Sequence, residues 1–416
     1  MPSAMPDRFA NGLTQADLAA RLDRFAIETP SWGYADTGTR FGKFMQAAAA
    51  STIEEKFADA GQVHRFTGCC PTVALHVLWD FAHDERGNLV GGAGEAAAKV
   101  SAAAKTCGVR VGSINPNTFQ DQRYKLGSVT NVDPAVRRVA IEHLLSSVKL
   151  AQATGSTLLS LWFADGTNYP GQGHIRERKR WMHEALGEVH EALAPGMKML
   201  VEYKPFEPAF YHTDIADWGM AAAFARAAGA RASVLIDTGH HLQGTNIEQL
   251  VAFLIDEELL GGFHFNDRKY ADDDLTMGSI DPYQLFRIFA EIVMAERELG
   301  ADLPIAYMID QSHNIKPKIE AMIQTVMTAQ EFFCKAMLVD FAAAQNARRK
   351  NDVVMAEAAW RDAFATDVRP FLGEYRCGKG LPADPLLAHR GSGYETKAAA
   401  ERGGRGGRAG GTGSYA

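Results

Sequence analysis

An α/β chain folded as a single (β/α)8 barrel is what this sequence predicts, on three observations. From about residue 70, short apolar runs of strand length alternate with longer helical patterns. The alternation repeats about eight times over about 250 residues, the span of one such barrel. No convincing Gly-rich phosphate turn follows the first run, which removes the main support for a doubly wound sheet. With 416 residues, 46% of them hydrophobic and 22% charged, the chain can bury a core of that size.

Taken in order, residues 1–60 are expected to form a helical arm. Thr14 stands as an N-cap with Asp17 three positions on, and leucines and Phe25 follow at helical spacing until Pro30. The barrel is expected over 61–335. Its strands are placed at "VALHVLWD" (73–80), "GVRVGSINP" (108–116), "STLLSLWFAD" (156–165), "KMLVEYKP" (198–205), "ASVLIDTG" (232–239), "GGFHFND" (261–267) and "PIAYMIDQ" (304–311). An eighth, weaker stretch is "DDDLTMGS" (272–279). Helices such as "PAVRRVAIEHLLSSVKLAQATG" and "IRERKRWMHEALGEVHEALAPG" close on Gly or Pro-Gly. "GAGEAA" (92–97) fits G-x-G-x-x-A, but "RGNLV" before it is too short and polar for a core strand, and a loop beside the barrel mouth is expected there. Residues 336–390 are charged and helical, suited to a packing or oligomer-forming extension. Residues 391–416 are rich in Gly and Arg without apolar periodicity, so a disordered tail is expected.

The bulk properties narrow the partners. A formal charge of −7 and a pI near 6.0 give no basic footprint for nucleic acid. The "RGGRGGR" motif of the tail is a possible RNA contact, but against an acidic remainder a solvated tail is the expectation. Five cysteines, an odd number with no C-x-x-C pair, point to reduced thiols. No leader pattern and no apolar run of about 18 residues is found, so no membrane contact and a cytoplasmic location are expected.

In such a barrel, side chains at the carboxyl ends of the strands converge on one mouth, and positions two apart share a face. Glu202 and Lys204 then lie together at one rim position, Asp237 ends another run with His240 one turn later, and His264 and Asp310 belong to two more. Asp272 and Asp274 form a D-x-D pair just past the His264 run. A single strand-end Asp is ordinarily a turn or helix cap, and a lone His is ordinarily a core residue. Four separate strands ending in ligand types are unlikely from capping alone. Carboxylates gathered in a buried site repel one another unless a cation sits among them. An oxygen-rich set with one or two imidazoles suits Mn2+, Mg2+ or Co2+ better than a structural zinc. Trp79 and Trp162 also end strands and would supply an apolar wall, though plain core packing explains each equally well.

These residues, E-x-K at Glu202/Lys204, D-x-x-H at Asp237/His240, His264, Asp272/Asp274 and Asp310, resemble the two-metal site of the xylose isomerase-like superfamily of aldose-ketose isomerases, which are TIM barrels. Flanking words such as "PSWGYADTGTRFGKF", "FADGTNYPGQ", "VEYKPFEPAFYHTDIADWG" and "HFNDRKYADDDL" are most similar to the L-rhamnose isomerases within it, from about residue 30 to 340. The resemblance implies two divalent cations, Mn2+ first. Glu202, Asp237, His264 and Asp310 would hold the structural ion, and His240, Asp272 and Asp274 the catalytic one, with Asp237 bridging. It further implies that Lys204 bonds a sugar oxygen near the reacting carbons, that Asp310 or a nearby acid shuttles a proton if the route is an enediol, and that His76 and Trp79 contact an open-chain aldose or ketose walled by Trp162 and Trp32. A homotetramer is implied, with Phe41 of a neighbour's arm reaching the mouth. His264 departs from xylose isomerase, where an acid is usual. The alternatives are a ketose 3-epimerase of the same barrel, with one metal between two opposed glutamates, and a metal-dependent endonuclease, which needs more histidines and a basic groove. Deleting the tail is expected to leave turnover within about twofold.

Overall fold

The computed structural model describes residues 8–36, 46–84, 89–206, 210–313 and 315–403. Eight strands form one parallel sheet in the order β1 (Thr29–Pro30), β2 (Thr72–His76), β3 (Arg110–Asn115), β4 (Leu158–Leu161), β6 (Lys198–Glu202), β8 (Ala232–Asp237), β9 (Leu260–Phe265) and β10 (Ala306–Ile309). A small antiparallel ribbon of β5 (Gly166–Thr167) and β7 (His212–Thr213) lies outside it. β10 returns to β1 through Glu28, whose N–H donates to Tyr307 O at 2.8 Å and whose carbonyl accepts from Ile309 N at 2.9 Å. The sheet thereby closes into a TIM barrel with helices around it. Outward-facing Val, Ile and Phe side chains pack against those helices in the main core. Inside, Leu200, Leu235 and Met308 form a separate apolar plug. In period-2 order the next inward positions on the same three strands are Glu202, Asp237 and Asp310, so the plug is the floor on which the polar mouth is built.

Several expected boundaries are corrected. The first strand is Thr29–Pro30, inside the segment assigned to a helical arm, where two residues are too few to show a period. Only the helix Gln15–Leu22, with the Thr14/Asp17 capping box, matches that arm. Glu28 secures the short strand, because its carboxylate accepts from the N–H and hydroxyl of Ser113 on β3. Gly112 is needed beside it, since a Cβ there would run into the Glu28 carboxylate. The stretch 272–279 is not a strand: only an isolated bridge joins Asp267 to Leu275, and Asp274 takes a left-handed φ of 49°. The run 73–80 stops at His76 and turns into a helical turn, Val77–Asp80. Asp80 enforces the turn by accepting from His76 N at 2.7 Å while pairing with Lys56 at 2.6 Å. "GAGEAA" opens the helix Gly92–Thr106 rather than a loop, because its run of alanines favours helix.

After the last barrel helix, Lys318–Met337, come Phe341–Arg349, Val353–Ala365, Arg369–Gly378 and Pro385–Gly391. The expected disordered tail also begins with a helix, Tyr394–Arg402. Its last residue sets two guanidinium nitrogens on the buried Asp59 carboxylate at 2.8 and 2.9 Å, a long-range pair that composition does not reveal. Among the described residues, no helix is long and apolar enough to cross a membrane.

Candidate functional site

At the carboxyl ends of the strands, two groups of ligand-type atoms converge. Glu202, Asp237, His264 and Asp310 offer atoms all within 4.8 Å of one another, and so do Asp237, His240 and Asp272. Asp237 is common to both, at 0% exposure at the end of β8. Its carboxylate is held by Gly239 N at 2.6 Å and Asn266 Nδ2 at 2.9 Å, and Asn266 also donates to Asp310 O. Gly239 is required at its position: a Cβ would lie 2.6 Å from Asn266 Oδ1, 2.9 Å from Asp272 Oδ1 and 3.1 Å from Asp237 Oδ1.

The imidazoles face the acids from two sides. His264 Nδ1 lies 3.3 Å from Glu202 Oε2 and 3.8 Å from Asp310 Oδ2. His240 Nε2 lies 3.5 Å from Asp272 Oδ2 and 3.9 Å from Asp237 Oδ2, while its Nδ1 is 3.1 Å from Tyr203 O. The Tyr203 carbonyl and Glu202 Oε1, at 3.2 Å, hold a proton on Nδ1, so Nε2 is the nitrogen that would ligate a metal, the arrangement usual for a metal-binding histidine. Burial opposes charge on both rings. At His264 the Glu202 charge outweighs it, with Asp310 and Asp237 adding, and the ring is raised to about 9. At His240 the Asp237 charge likewise holds the ring well above its usual value. Burial would raise Glu202, yet the two imidazoles draw it below the usual carboxylate range. Burial raises Asp237, against His240, with Glu202, Asp272 and Asp310 adding to the rise. The acids thus draw positive charge to the two imidazole positions.

Three features test the donor set for divalent ions. His264 Nε2 and Asp272 Oδ1 are buried without a hydrogen-bond partner among the described residues. The glycine at 239 keeps space open between acids that a side chain would fill. Oxygens dominate, with one imidazole per group, which fits Mn2+, Mg2+ or Co2+. The residues present fit such ions.

Lys204 follows β6 and sets its Nζ 2.6 Å from Asp272 Oδ2 and 5.1 Å from the Trp162 ring centre. Asp274 lines the same cavity but stands outside both ligand groups. Burial, with the charges of Asp272 and Asp310, pushes its carboxyl well up. Opposite the acids the wall is aromatic. His76 stacks on Trp79 at 3.6 Å, Trp32 meets both edge-on, and Trp162 packs on Phe119 at 4.8 Å. Trp32 Nε1 donates to Asp310 Oδ1 at 2.7 Å, so one wall residue also orients an acid. Phe41 lies outside the described residues.

Sequence reasoning missed Asn115, Phe119, Ser160 and Ser312, which share the cavity, and the fixing roles of Asn266 and Gly239. Ser160 was accessible to it, because in "STLLSLW" Ser160 is two residues before Trp162 and so shares its face. Phe119 and Ser312 lie on loops, which carry no such period.

Comparison with known proteins agrees with the fold. Residues 78–323 match the model of a family described as xylose isomerase-like TIM barrel. A "Probable sugar isomerase" of Mesorhizobium japonicum is 38% identical over 396 residues, covering 94% of this chain and 89% of that protein. One of Rhizobium meliloti is 38% identical over 405 residues, covering 96% and 91%. A 3-keto-D-glucoside 4-epimerase from E. coli shares the fold at TM-score 0.50 and 13% identity, over 73% of this chain and 99% of that one. On the extent of the family match and these near full-length relatives, this chain belongs to the xylose isomerase-like TIM barrel family.

Proposed function

We propose that this protein is a metal-dependent aldose-ketose isomerase that interconverts L-rhamnose and L-rhamnulose, using two divalent cations, Mn2+ first. The observation that carries the reading is Asp237, shared by two ligand groups whose other members line a cavity with an aromatic far wall. The near full-length relatives named as sugar isomerases support the reaction class. The choice of L-rhamnose rests on the sequence words flanking the site and on the apolar wall of Trp32, Trp79, Phe119 and Trp162, which suits the methyl end of a 6-deoxy sugar.

In this reading Glu202, Asp237, His264 and Asp310 hold one ion, and Asp237, His240 and Asp272 the other, with Asp274 beside it. When bound, the ions polarise the sugar carbonyl as Lewis acids and align its oxygens. The chain's own groups do the rest. Lys204, 2.6 Å from Asp272, is placed to donate to a substrate oxygen as negative charge develops on it. His76 is kept neutral by burial, helped by His143 and Lys56, so it offers the sugar chain an imidazole rather than a cation. Trp32 fixes Asp310 through Oδ1, which leaves Oδ2 for a ligand or for a proton in an enediol route.

The test is a panel of aldoses assayed after chelation and re-addition of Mn2+, with metal counted per subunit. L-Rhamnose turnover that disappears on chelation and returns with two ions per subunit is expected. No turnover of any aldose would overturn the reading, and one ion per subunit with epimerisation at C3 would favour a ketose 3-epimerase. Solvent deuterium at C1 separates the enediol route from a direct hydrogen shift.

A further inference from the structure

The cavity has two unlike halves. The ends of β6, β8, β9 and β10 carry the ligand groups, whereas the ends of β2, β3 and β4 carry His76, Asn115, Ser160 and Trp162. On this second half, His76 Nδ1, Ser160 Oγ and Trp162 Nε1 are buried without a hydrogen-bond partner among the described residues. Three unsatisfied polar atoms on residues lining one cavity are unusual, since buried groups are nearly always paired. Ser160 is the clearest of them, at 2% exposure. Its register partner on β6 is Leu200, which offers no polar side chain, and the next inward residue below it on β4 is Leu158, which packs against the apolar plug. Beside it on β3, Asn115 uses its amide nitrogen on Leu75 O at 3.2 Å and Ser113 Oγ at 3.4 Å, which leaves its carbonyl oxygen as an acceptor.

We propose that Ser160, with Asn115 beside it, is a specificity-determining subsite that hydrogen-bonds one hydroxyl of the substrate chain on the side away from the metal ligands. The inference rests on the isomerase reading and deepens it. The ligand class is an open-chain polyhydroxy aldehyde or ketone, because a second hydroxyl must lie several carbons from the oxygens that the acidic half receives. A serine hydroxyl both donates and accepts, so it matches a sugar hydroxyl of either orientation. A pocket built this way rejects the analogue that lacks the hydroxyl, since the buried protein group is then left unpaired.

The experiment compares kcat/KM of the Mn2+-loaded wild type and Ser160→Ala on L-rhamnose and its 3-deoxy, 4-deoxy and 5-deoxy analogues. Ser160→Ala is expected to lower the value for L-rhamnose by about tenfold, the scale of one lost hydrogen bond. For one deoxy analogue the wild-type-to-variant ratio falls to about one, because the partner hydroxyl is already missing. Ser160→Cys, close in size but a weak donor, is expected to show the same pattern, which separates lost bonding from lost packing. Equal losses on all four sugars, or no loss on any, overturn the inference while leaving the isomerase reading intact. Absence of turnover with every aldose overturns both.

Discussion

Arg402→Ala is the sharpest test of how this fold is held. Arg402 ends the helix Tyr394–Arg402 and forks onto Asp59, which is 1% exposed, with a further bond from Nη1 to Ala48 O at 2.8 Å. Without the guanidinium, Asp59 keeps, among the described residues, the Tyr394 hydroxyl at 2.8 Å. Breaking a buried pair in this way costs about 3–5 kcal/mol, because the remaining charge is uncompensated. Unfolding entropy of about 2.1 cal/mol/K per residue gives roughly 0.9 kcal/mol/K for a chain of 416 residues, so Tm should fall by about 3–6 °C. Asp59 also fixes the pH dependence. Burial raises it to about 6 despite Arg402, so the fold binds this proton more tightly than the unfolded chain does. The stability this contributes is fully present below the unfolded value of 3.8 and lost as pH rises through about 6. Removing Arg402 raises the folded value further, so the Tm deficit should be larger at pH 7.5 than at pH 5. Calorimetric scans of both proteins at the two pH values measure this. A Tm within about 1 °C of wild type at pH 7.5 would refute the claim that this pair anchors the C-terminal helix.

Other expectations follow the same geometry. Deletion from residue 391 should destabilise the protein much as Arg402→Ala does, whereas deletion from 404 should leave Tm and turnover unchanged; this revises the view of the whole tail as dispensable. Asp237→Asn should lower turnover by at least about a hundredfold, because it removes charge where both ligand groups meet, and near-normal turnover would exclude a bridging role. Asn266→Ala and Gly239→Ala should each weaken Mn2+ binding by about 10–100-fold in titration calorimetry, the first by freeing the Asp237 carboxylate and the second by crowding it. Wild-type affinity in both would show that Asp237 needs no support. Trp32→Phe, which leaves Asp310 Oδ1 without its donor, should reduce turnover more than it alters Tm.

The sequence by itself determined the alternation of strands and helices, and with it the barrel. It also placed Glu202, Asp237, His264 and Asp310 at strand ends, because a buried strand shows its inward face every second residue and an acid or imidazole there interrupts an apolar run. Periodicity failed where elements are shorter than a period. Thr29–Pro30 joins the sheet through Glu28 and its bonds to Ser113, which come from strands far apart in the chain. Residues that act from loops were equally hidden: Phe119 and Ser312 enter the cavity only once the strands beneath them are assembled. The space kept by Gly239, the Asn266 clamp on Asp237 and the Arg402–Asp59 pair are long-range or steric facts. They depend on distances between segments, which only the closed tertiary structure sets.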